Sequence, residues 1–368
     1  MNSAEKIARC MAIEPVNDRS EIPIIMQIIT YAGVCAGVTQ KEIHENNESF
    51  QKAKKFTYDT VGYPDGDYFL NPGDTCFAEA LPVCRPGIEL PDNELFQFVE
   101  TENMQPEDYD DIAKNGWDQW NLRYMMRIQN PPYTDPNQLF ARWGALGANA
   151  GANIGMMMSM GVQPIIGSVV ITPFDCLSLI RSFNPFIMDL YDEPDRVKAA
   201  IDRMTDDMIA STLQQLNPGV PRVGVFAMRS DAAVLSPALF DEFSWPSLKK
   251  TILAFWEAGY VSVVHADGNW LPMVDRFLEL PKGCVSFEFD GVTDMRKAYE
   301  IIGGWQSMRG DVSAVKLSFD TKDEVREYCE GLITDLGMKG GFMIGPGCEV
   351  PMSAKAENVK AIFESVRG

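Results

Sequence analysis

The sequence predicts a single α/β domain built as an eight-stranded parallel barrel, a (β/α)8 TIM barrel. Eight short apolar segments rich in β-branched residues are each bounded by Gly, Pro or polar residues. From residue 222 onward these segments alternate with segments of helical periodicity, which is typical of repeated strand–helix units in a parallel sheet. The length of 368 residues also suits one such barrel. We therefore expect one domain over residues 1–368.

The predicted elements follow one another along the chain. Strands are expected at 22–30, about 75–82, 164–171, 222–228, 261–265, 284–289, 305–309 and 341–345. Helices are expected at 236–258, 268–280, 292–302 and 322–336, the last opened by the capping-box pattern Thr321-Lys-Asp-Glu324. Between roughly 85 and 160 the alternation stops, and a Pro- and acid-rich stretch precedes a Gly-, Ala- and Met-rich run. We interpret this segment as an insertion or lid between early strands.

Charge and composition exclude several classes of partner. The chain has 52 acidic and 32 basic residues, a formal charge of -20, which repels nucleic acid and anionic membranes. The first residues lack the basic start and apolar run of a signal peptide, and no uninterrupted apolar run of about 18 residues follows. The eight cysteines are scattered, as expected for reduced thiols rather than a disulfide framework. We expect a cytoplasmic protein that binds neither nucleic acid nor membrane.

Polar residues directly follow five consecutive predicted strands, the fourth to the eighth. In a barrel of this kind the carboxyl ends of all strands open onto one rim, where active sites lie. We therefore expect the following residues to meet there: Arg229 and Asp231, His265 and Asp267, Glu288 and Asp290, Arg309 and Asp311, and Cys348 with Glu349.

Four of these residues could hold a metal ion and take part in catalysis. His265 is one of two histidines in the chain, and Asp267, two residues on in an extended segment, points to the same side. With Glu288 and Cys348 from neighbouring strands, they offer nitrogen, oxygen and sulfur ligands that favour Zn²⁺ over Mg²⁺ or Ca²⁺. The alternative is that the His and the Cys are buried structural groups whose hydrogen bonds are satisfied internally.

Other rim residues are candidates for substrate binding. Charged groups there could orient a substrate carboxylate or phenol, or could pair with one another, and the indole could contact an aromatic substrate or pack in the core. The candidates are Arg229, Asp231, Trp270, Asp290, Arg309 and Asp311. The chain has neither a dinucleotide-binding nor a P-loop motif, and neither His lies in the Asp-x-His-x-x-Gly signature by which proteins ligate a corrinoid.

Several segments resemble one known family, the uroporphyrinogen decarboxylase superfamily, over nearly the whole chain. The clearest are LSPALFDEFSWPSLKK, VVHADGNWLP, MRGDV and GGFMIGPGCEVPMSAKAENVKAI. Two more, FNPFIMDLYDEPDRVKAAID and PGIELPDNELFQFVETENMQPEDYD, look like the corrinoid-dependent methyltransferases with which anaerobes demethylate methoxylated aromatics. True uroporphyrinogen decarboxylases carry an Arg-rich Met-Arg-Gln-Ala-Gly-Arg motif, which is missing near Ile22–Gly33. The resemblance thus disfavours porphyrinogen decarboxylation.

The resemblance also implies a site. Methylcobamide:coenzyme M methyltransferases of the superfamily hold zinc with His-x-Cys, a later Cys and a nearby Glu. His265 and Cys348 match, Glu288 stands at a plausible position for the Glu, and Asp267 replaces the middle Cys. A site with one thiolate is a harder Lewis acid, suited to polarising an ether oxygen. The implied reaction is zinc-assisted transfer of a methyl group from a small methoxylated donor, an aryl methyl ether, to the cobalt of cobalamin supplied by a separate corrinoid protein.

Several alternatives stay open at this point. One is the reverse half-reaction, from a methylcorrinoid to a thiol or folate acceptor, and another is a decarboxylase-like activity. A site without metal would use Asp267 or Glu288 as a general acid. A binding barrel without catalysis is a third class. The identity of the methyl donor, the direction of transfer and the presence of a homodimer are likewise open.

Overall fold

Eight parallel strands form the centre of the protein in the computed structural model, which describes residues 1–78 and 81–368. The strands are β1 (residues 24–25), β2 (Gly66–Asp67), β3 in two segments (Gln163–Pro164 and Ser168–Ile171), β4 (Arg222–Phe226), β5 (Val261–Ala266), β6 (Val285–Phe289), β7 (Ser307–Val312) and β8 (Phe342–Pro346). The second segment of β3 and strands β4 to β8 form one six-stranded parallel sheet in chain order. The predicted α/β fold class is confirmed.

Short pairings through β1 and β2 close the ring. The Ile25 amide donates to the Ile344 carbonyl on β8 at 2.9 Å, and the Met26 amide donates to the Gly66 carbonyl on β2 at 2.8 Å. On its other side, Gly66 pairs in parallel with Gln163 of β3. Each strand therefore has a neighbour on both sides, and all carboxyl ends open at the same end of the barrel.

Helices surround the ring. The α-helices are α1 (Ser3–Met11), α2 (Tyr31–Ala36), α3 (Gln40–Glu45), α4 (Asn47–Val61), α5 (Pro72–Ala78), α6 (Glu107–Asn115), α7 (Trp117–Ile128), α8 (Pro136–Ser159), α9 (Pro173–Ile180), α10 (Phe183–Asp192), α11 (Pro194–Gln214), α12 (Pro237–Leu239), α13 (Trp245–Glu257), α14 (Met295–Ile302), α15 (Ala314–Phe319), α16 (Lys322–Asp335) and α17 (Ala356–Arg367). A π-helical turn at Phe240–Ser244 joins α12 to α13, and 3-10 turns lie at Arg19–Glu21, Val274–Glu279 and Gly337–Lys339. None of the helices within the described ranges is both long and apolar enough to cross a membrane.

The predicted helices after residue 222 agree with the structure to different degrees. Helix α16 begins with the predicted capping box, in which Thr321 and Glu324 cap each other's backbone amides. The segment predicted as a helix at 268–280 contains only the short 3-10 turn, and its first residues form the loop after β5. This loop matters for the site, because it carries Asp267.

The prediction of a strand at about 75–82 is wrong. Its described part up to residue 78 belongs to α5, and residues 79 and 80 lie outside the described residues. The second barrel strand is Gly66–Asp67 instead. A two-residue strand that begins at Gly66, shortly after Pro64, has no sequence signal of its own. It is defined by its hydrogen bonds to β1 and β3.

The segment between β2 and β3 contains the predicted insertion. After α5 it contains an antiparallel pair, Val83–Cys84 with Gln97–Phe98, then continues through α6 and α7, and ends in α8, which leads into β3. The Gly-, Ala- and Met-rich run is helical within α8. Glu100 of this segment forms an ion pair with Arg229 after β4, with Glu100 Oε2 2.8 Å from Arg229 Nη2. The segment is thereby attached to the carboxyl-end rim of the barrel.

Candidate active site

Parallel register places three charged side chains in one row across the barrel. His265 on β5 is paired with Glu288 on β6, and Glu288 is paired with Arg309 on β7. Side chains at paired positions of adjacent parallel strands point to the same face, about 4.8 Å apart. All three are buried, with at most 3% of each exposed. The row therefore lies inside the barrel, just below the strand ends.

Glu288 connects the members of this row. Its Oε2 lies 2.9 Å from His265 Nδ1, and its Oε1 lies 2.9 Å from Arg309 Nε. The Tyr68 hydroxyl donates a hydrogen bond to the same Oε2. Arg309 also donates from Nη1 to the Pro346 carbonyl of β8 at 3.0 Å. The carboxylate of Glu288 is thus held from three directions.

The other ring nitrogen of His265 faces two further groups. His265 Nε2 lies 3.5 Å from Asp267 Oδ1 and 3.5 Å from Cys348 Sγ, and one ligand atom from each of the three residues lies within 4.8 Å of the others. Zinc bonds of about 2.0 Å to N or O and 2.3 Å to S, at tetrahedral angles, separate ligand atoms by roughly 3.3–3.6 Å. The two distances from Nε2 match that spacing, so the group suits a zinc ion with a fourth position left for substrate.

Glu288 lies outside this group. The sequence predicted it as one of four metal ligands, but the structure places its carboxylate at Nδ1, whereas Asp267 and Cys348 lie at Nε2, the other ring nitrogen. A carboxylate that accepts the second N–H of a ligand His fixes the ring's orientation and tautomer. This position suits Glu288 as a partner that orients the His265 ring rather than as a ligand.

The ionisation of the row follows from burial and pairing. Burial opposes charge on Glu288, but Arg309 and the hydrogen bond from His265 outweigh it and hold the pKa of Glu288 below its usual range. Burial likewise lowers the pKa of His265, yet the nearby Cys348 and Glu288 outweigh it and raise that pKa well above the usual value. Burial raises the pKa of Asp267, against the opposite effect of His265. Glu288 is thus an anion at neutral pH, while a metal bound at Nε2 would displace a proton.

Two of the predicted pocket residues brace the loop that carries Asp267. Asp231 Oδ2 accepts a hydrogen bond from the Asn269 amide at 2.8 Å, and Asp290 Oδ2 accepts one from the Gly268 amide at 3.0 Å. Gly268 has φ +84°, and a Cβ there would lie 2.3 Å from Asp231 Oδ2, so the close approach requires glycine. Asp231 and Asp290 therefore support the position of Asp267.

The remaining predicted pocket residues have partners within the chain. Trp270 is fully buried against aromatic core residues, and its Nε1 donates to the Asp267 carbonyl at 2.8 Å. Asp311 accepts a hydrogen bond from the Tyr328 hydroxyl at 2.5 Å. Arg229 and Arg309 are in the ion pairs with Glu100 and Glu288 already described. These contacts favour the alternative of internal pairing and core packing that the sequence left open.

Two site residues had no assigned part in the sequence analysis. Tyr68, which contacts Glu288, follows the unrecognised strand β2. Glu349 comes directly after Cys348, and its Oε1 accepts hydrogen bonds from the amide and the hydroxyl of Thr30. Burial raises the pKa of Glu349 to about 7. The position of Glu349 next to a candidate ligand was visible in the sequence, whereas that of Tyr68 was not.

Comparison with known proteins identifies the family. The family model described as uroporphyrinogen decarboxylase (URO-D) matches residues 157–368, more than half of the chain, including His265, Glu288 and Cys348. The chain belongs to the uroporphyrinogen decarboxylase family. The predicted family is thereby confirmed, and the matched region contains strands β4 to β8 with their carboxyl ends.

Individual relatives are distant. Uroporphyrinogen decarboxylases of Helicobacter pylori strains HPAG1 and J99 are each 27% identical over 163 residues, which is 43% of this chain and 45% of each relative. The match thus spans less than half the length of these curated relatives. Among solved structures, a methyltransferase from Methanosarcina mazei has a TM-score of 0.67 at 16% identity, covering 100% of this chain and 98% of that one. This similarity confirms the fold over the whole length.

Proposed function

We propose that this protein is a metal-assisted methyltransferase. In the proposed reaction, it takes a methyl group from a small methoxylated donor, an aryl methyl ether, and passes it to the corrinoid of a separate protein. The observation that carries the proposal is the group of His265, Asp267 and Cys348 at the carboxyl ends of β5 and β8, whose donor spacing suits zinc. Membership of the family and the overall similarity to a methyltransferase fold support it.

Different residues of the chain would have different roles in this reaction. His265, Asp267 and Cys348 would hold the metal, while Glu288 keeps Nδ1 protonated so that Nε2 offers its lone pair. Bound zinc would supply a Lewis acid at the ether oxygen, and the partner's corrinoid would supply the nucleophile that accepts the methyl group. When the carbon–oxygen bond breaks, the electron pair would stay on the phenolate oxygen, and a cation held by His265, Asp267 and Cys348 would stabilise that charge.

The single thiolate favours an ether substrate over a thiol. A thiolate ligand donates more electron density to zinc than a carboxylate or imidazole does, so a site with one thiolate leaves the metal more Lewis acidic. Asp267 is the carboxylate of the group, 3.5 Å from His265 Nε2. We therefore propose polarisation of an ether oxygen, rather than activation of a thiol, as the function of this site.

The ion pairs at the rim disfavour a substrate rich in carboxylates. Arg309 is buried against Glu288, and Arg229 pairs with Glu100. To bind a polycarboxylate these guanidinium groups would have to leave their partners, and in the buried pair this would strand a charged carboxylate. We accordingly do not propose porphyrinogen decarboxylation for this chain.

A spectroscopic assay tests the proposal. The purified protein is mixed with a corrinoid protein reduced to Co(I) and a panel of methoxyaromatics, and conversion to methyl-Co(III) is followed by absorbance. We expect conversion with at least one donor, and its loss in His265→Ala and Cys348→Ser. Cys84→Ser, which changes a half-buried thiol of the antiparallel pair, is the matched control and should keep the activity. Full activity of Cys348→Ser or of the metal-free protein would refute metal assistance.

A further inference from the structure

We propose that Tyr68 is a positioning residue of the metal site. Its hydroxyl holds Glu288 Oε2 where that oxygen accepts the Nδ1 proton of His265, and it thereby aims Nε2 at Asp267 and Cys348. This inference rests on the metal site put forward above. It extends that site to Tyr68, the residue directly after β2.

The bonding of Glu288 shows why Tyr68 matters. Arg309 contacts Oε1, whereas both Tyr68 and His265 contact Oε2. Without the hydroxyl, the carboxylate keeps its strong ion pair but has only the imidazole to fix Oε2. Glu288 can then turn toward Arg309, and the ring of His265 loses the partner that sets its rotation and tautomer.

A buried ion pair holds the backbone of Tyr68 in place. Asp67 Oδ1 accepts a hydrogen bond from the Tyr68 amide at 2.6 Å, and Lys54 Nζ donates to the Tyr68 carbonyl. Lys54 Nζ lies 3.2 Å from Asp67 Oδ2, and both side chains are fully buried. Lys54 also donates to the Ile28 carbonyl of the neighbouring segment at 3.0 Å. Both polar backbone groups of Tyr68 are thus bound by charged side chains, which fixes the direction of its ring although β2 is only two residues long.

The chain contains a matched control for this role. Tyr109 is also fully buried, and its hydroxyl donates to a buried carboxylate, Asp189 Oδ2, at 2.9 Å. Tyr109→Phe and Tyr68→Phe therefore remove the same chemical group from the same kind of environment. Only Tyr68 contacts the carboxylate that orients His265, so the two variants separate loss of stability from loss of positioning.

The test compares metal affinity and stability in wild type and both variants. Dissociation constants for Zn²⁺ and Co²⁺ are measured by competition with a chelator, and urea midpoints are measured without metal. Loss of a partner that orients a ligand weakens binding about 10- to 100-fold, so Tyr68→Phe should fall in that range while Tyr109→Phe stays within about twofold. We expect similar shifts of the urea midpoint in both. Wild-type metal affinity in Tyr68→Phe, or equal losses of affinity in both variants, would overturn the inference.

The result also separates this inference from the proposed function. If the wild type binds zinc and Tyr68→Phe binds it equally well, the positioning role fails and the metal site stands. If the wild type binds neither ion, metal assistance fails and the inference fails with it. If metal binding follows the expected order but no methyl donor reacts, the positioning role stands and the proposed reaction fails.

Discussion

The ion pair between Arg309 and Glu288 makes a quantitative prediction about stability. Arg309→Met keeps an unbranched apolar stem but removes the guanidinium from the buried Glu288 carboxylate, which keeps His265 as its remaining ion-pair partner. Both side chains of the Arg309–Glu288 pair are 1% exposed. Removing one member of a buried pair costs about 3–5 kcal/mol. Loss of the hydrogen bond to the Pro346 carbonyl adds about 1 kcal/mol. We expect a total of roughly 4–6 kcal/mol, a large part of the usual stability of a folded domain.

A second substitution shows whether the charge left on Glu288 causes the loss of stability. Glu288→Gln is nearly isosteric, and its amide oxygen can still accept hydrogen bonds from Tyr68 and His265. The double variant Arg309→Met/Glu288→Gln should therefore recover about 2 kcal/mol or more relative to Arg309→Met alone. Urea unfolding of the metal-free proteins, followed by circular dichroism and tryptophan fluorescence, measures the difference. A cost below about 1 kcal/mol for Arg309→Met, or strictly additive costs in the double variant, would refute the buried pair.

Two further predictions concern pH. A metal bound to His265 displaces the Nε2 proton, and the pKa of His265 is raised. The apparent zinc dissociation constant should therefore increase about tenfold for each pH unit below that pKa. A zinc affinity that does not change with pH would contradict ligation by His265. Glu349 has a folded-state pKa of about 7, above an unfolded value of about 4.3, so its contribution to stability falls as pH rises through this window. Glu349→Gln should therefore be more stable than wild type at pH 8.5, by about 4 kcal/mol at most, and little changed at pH 4.5, as measured by urea midpoints. A difference that is the same at both pH values would show that Glu349 does not titrate in this way.

The candidate ligands could be located because active-site residues of such barrels lie at the carboxyl ends of the strands, a rule that depends only on the direction of the strands. His265, Asp267 and Cys348 lie at or just after the ends of apolar segments that are easily recognised, and parallel strands bring such positions to one rim. The same segments predicted β4 to β8. The short strands β1 and β2 complete the ring through a few hydrogen bonds, and β2 has no periodicity that a sequence could reveal.

The role of each residue in the site can be assigned only from the strand register and the tertiary contacts. The sequence indicates that Glu288 and Arg309 follow apolar strands, but only the register puts them on one row with His265, with Glu288 at Nδ1. The sequence left Arg229 as a candidate for substrate binding because its ion-pair partner, Glu100, lies in the segment between β2 and β3, far away along the chain. Pairings over such distances leave no local pattern, so the sequence could not choose between substrate binding and internal pairing.

X-ray absorption at the zinc edge shows directly whether the site holds zinc with one thiolate. We expect one zinc per chain with a single sulfur neighbour at about 2.3 Å and its other neighbours nitrogen or oxygen at about 2.0–2.2 Å. In Cys348→Ser the sulfur contribution should disappear, whereas in Cys84→Ser it should persist. Two sulfur neighbours, or a zinc site with no sulfur in the wild type, would contradict a one-thiolate site built from His265, Asp267 and Cys348.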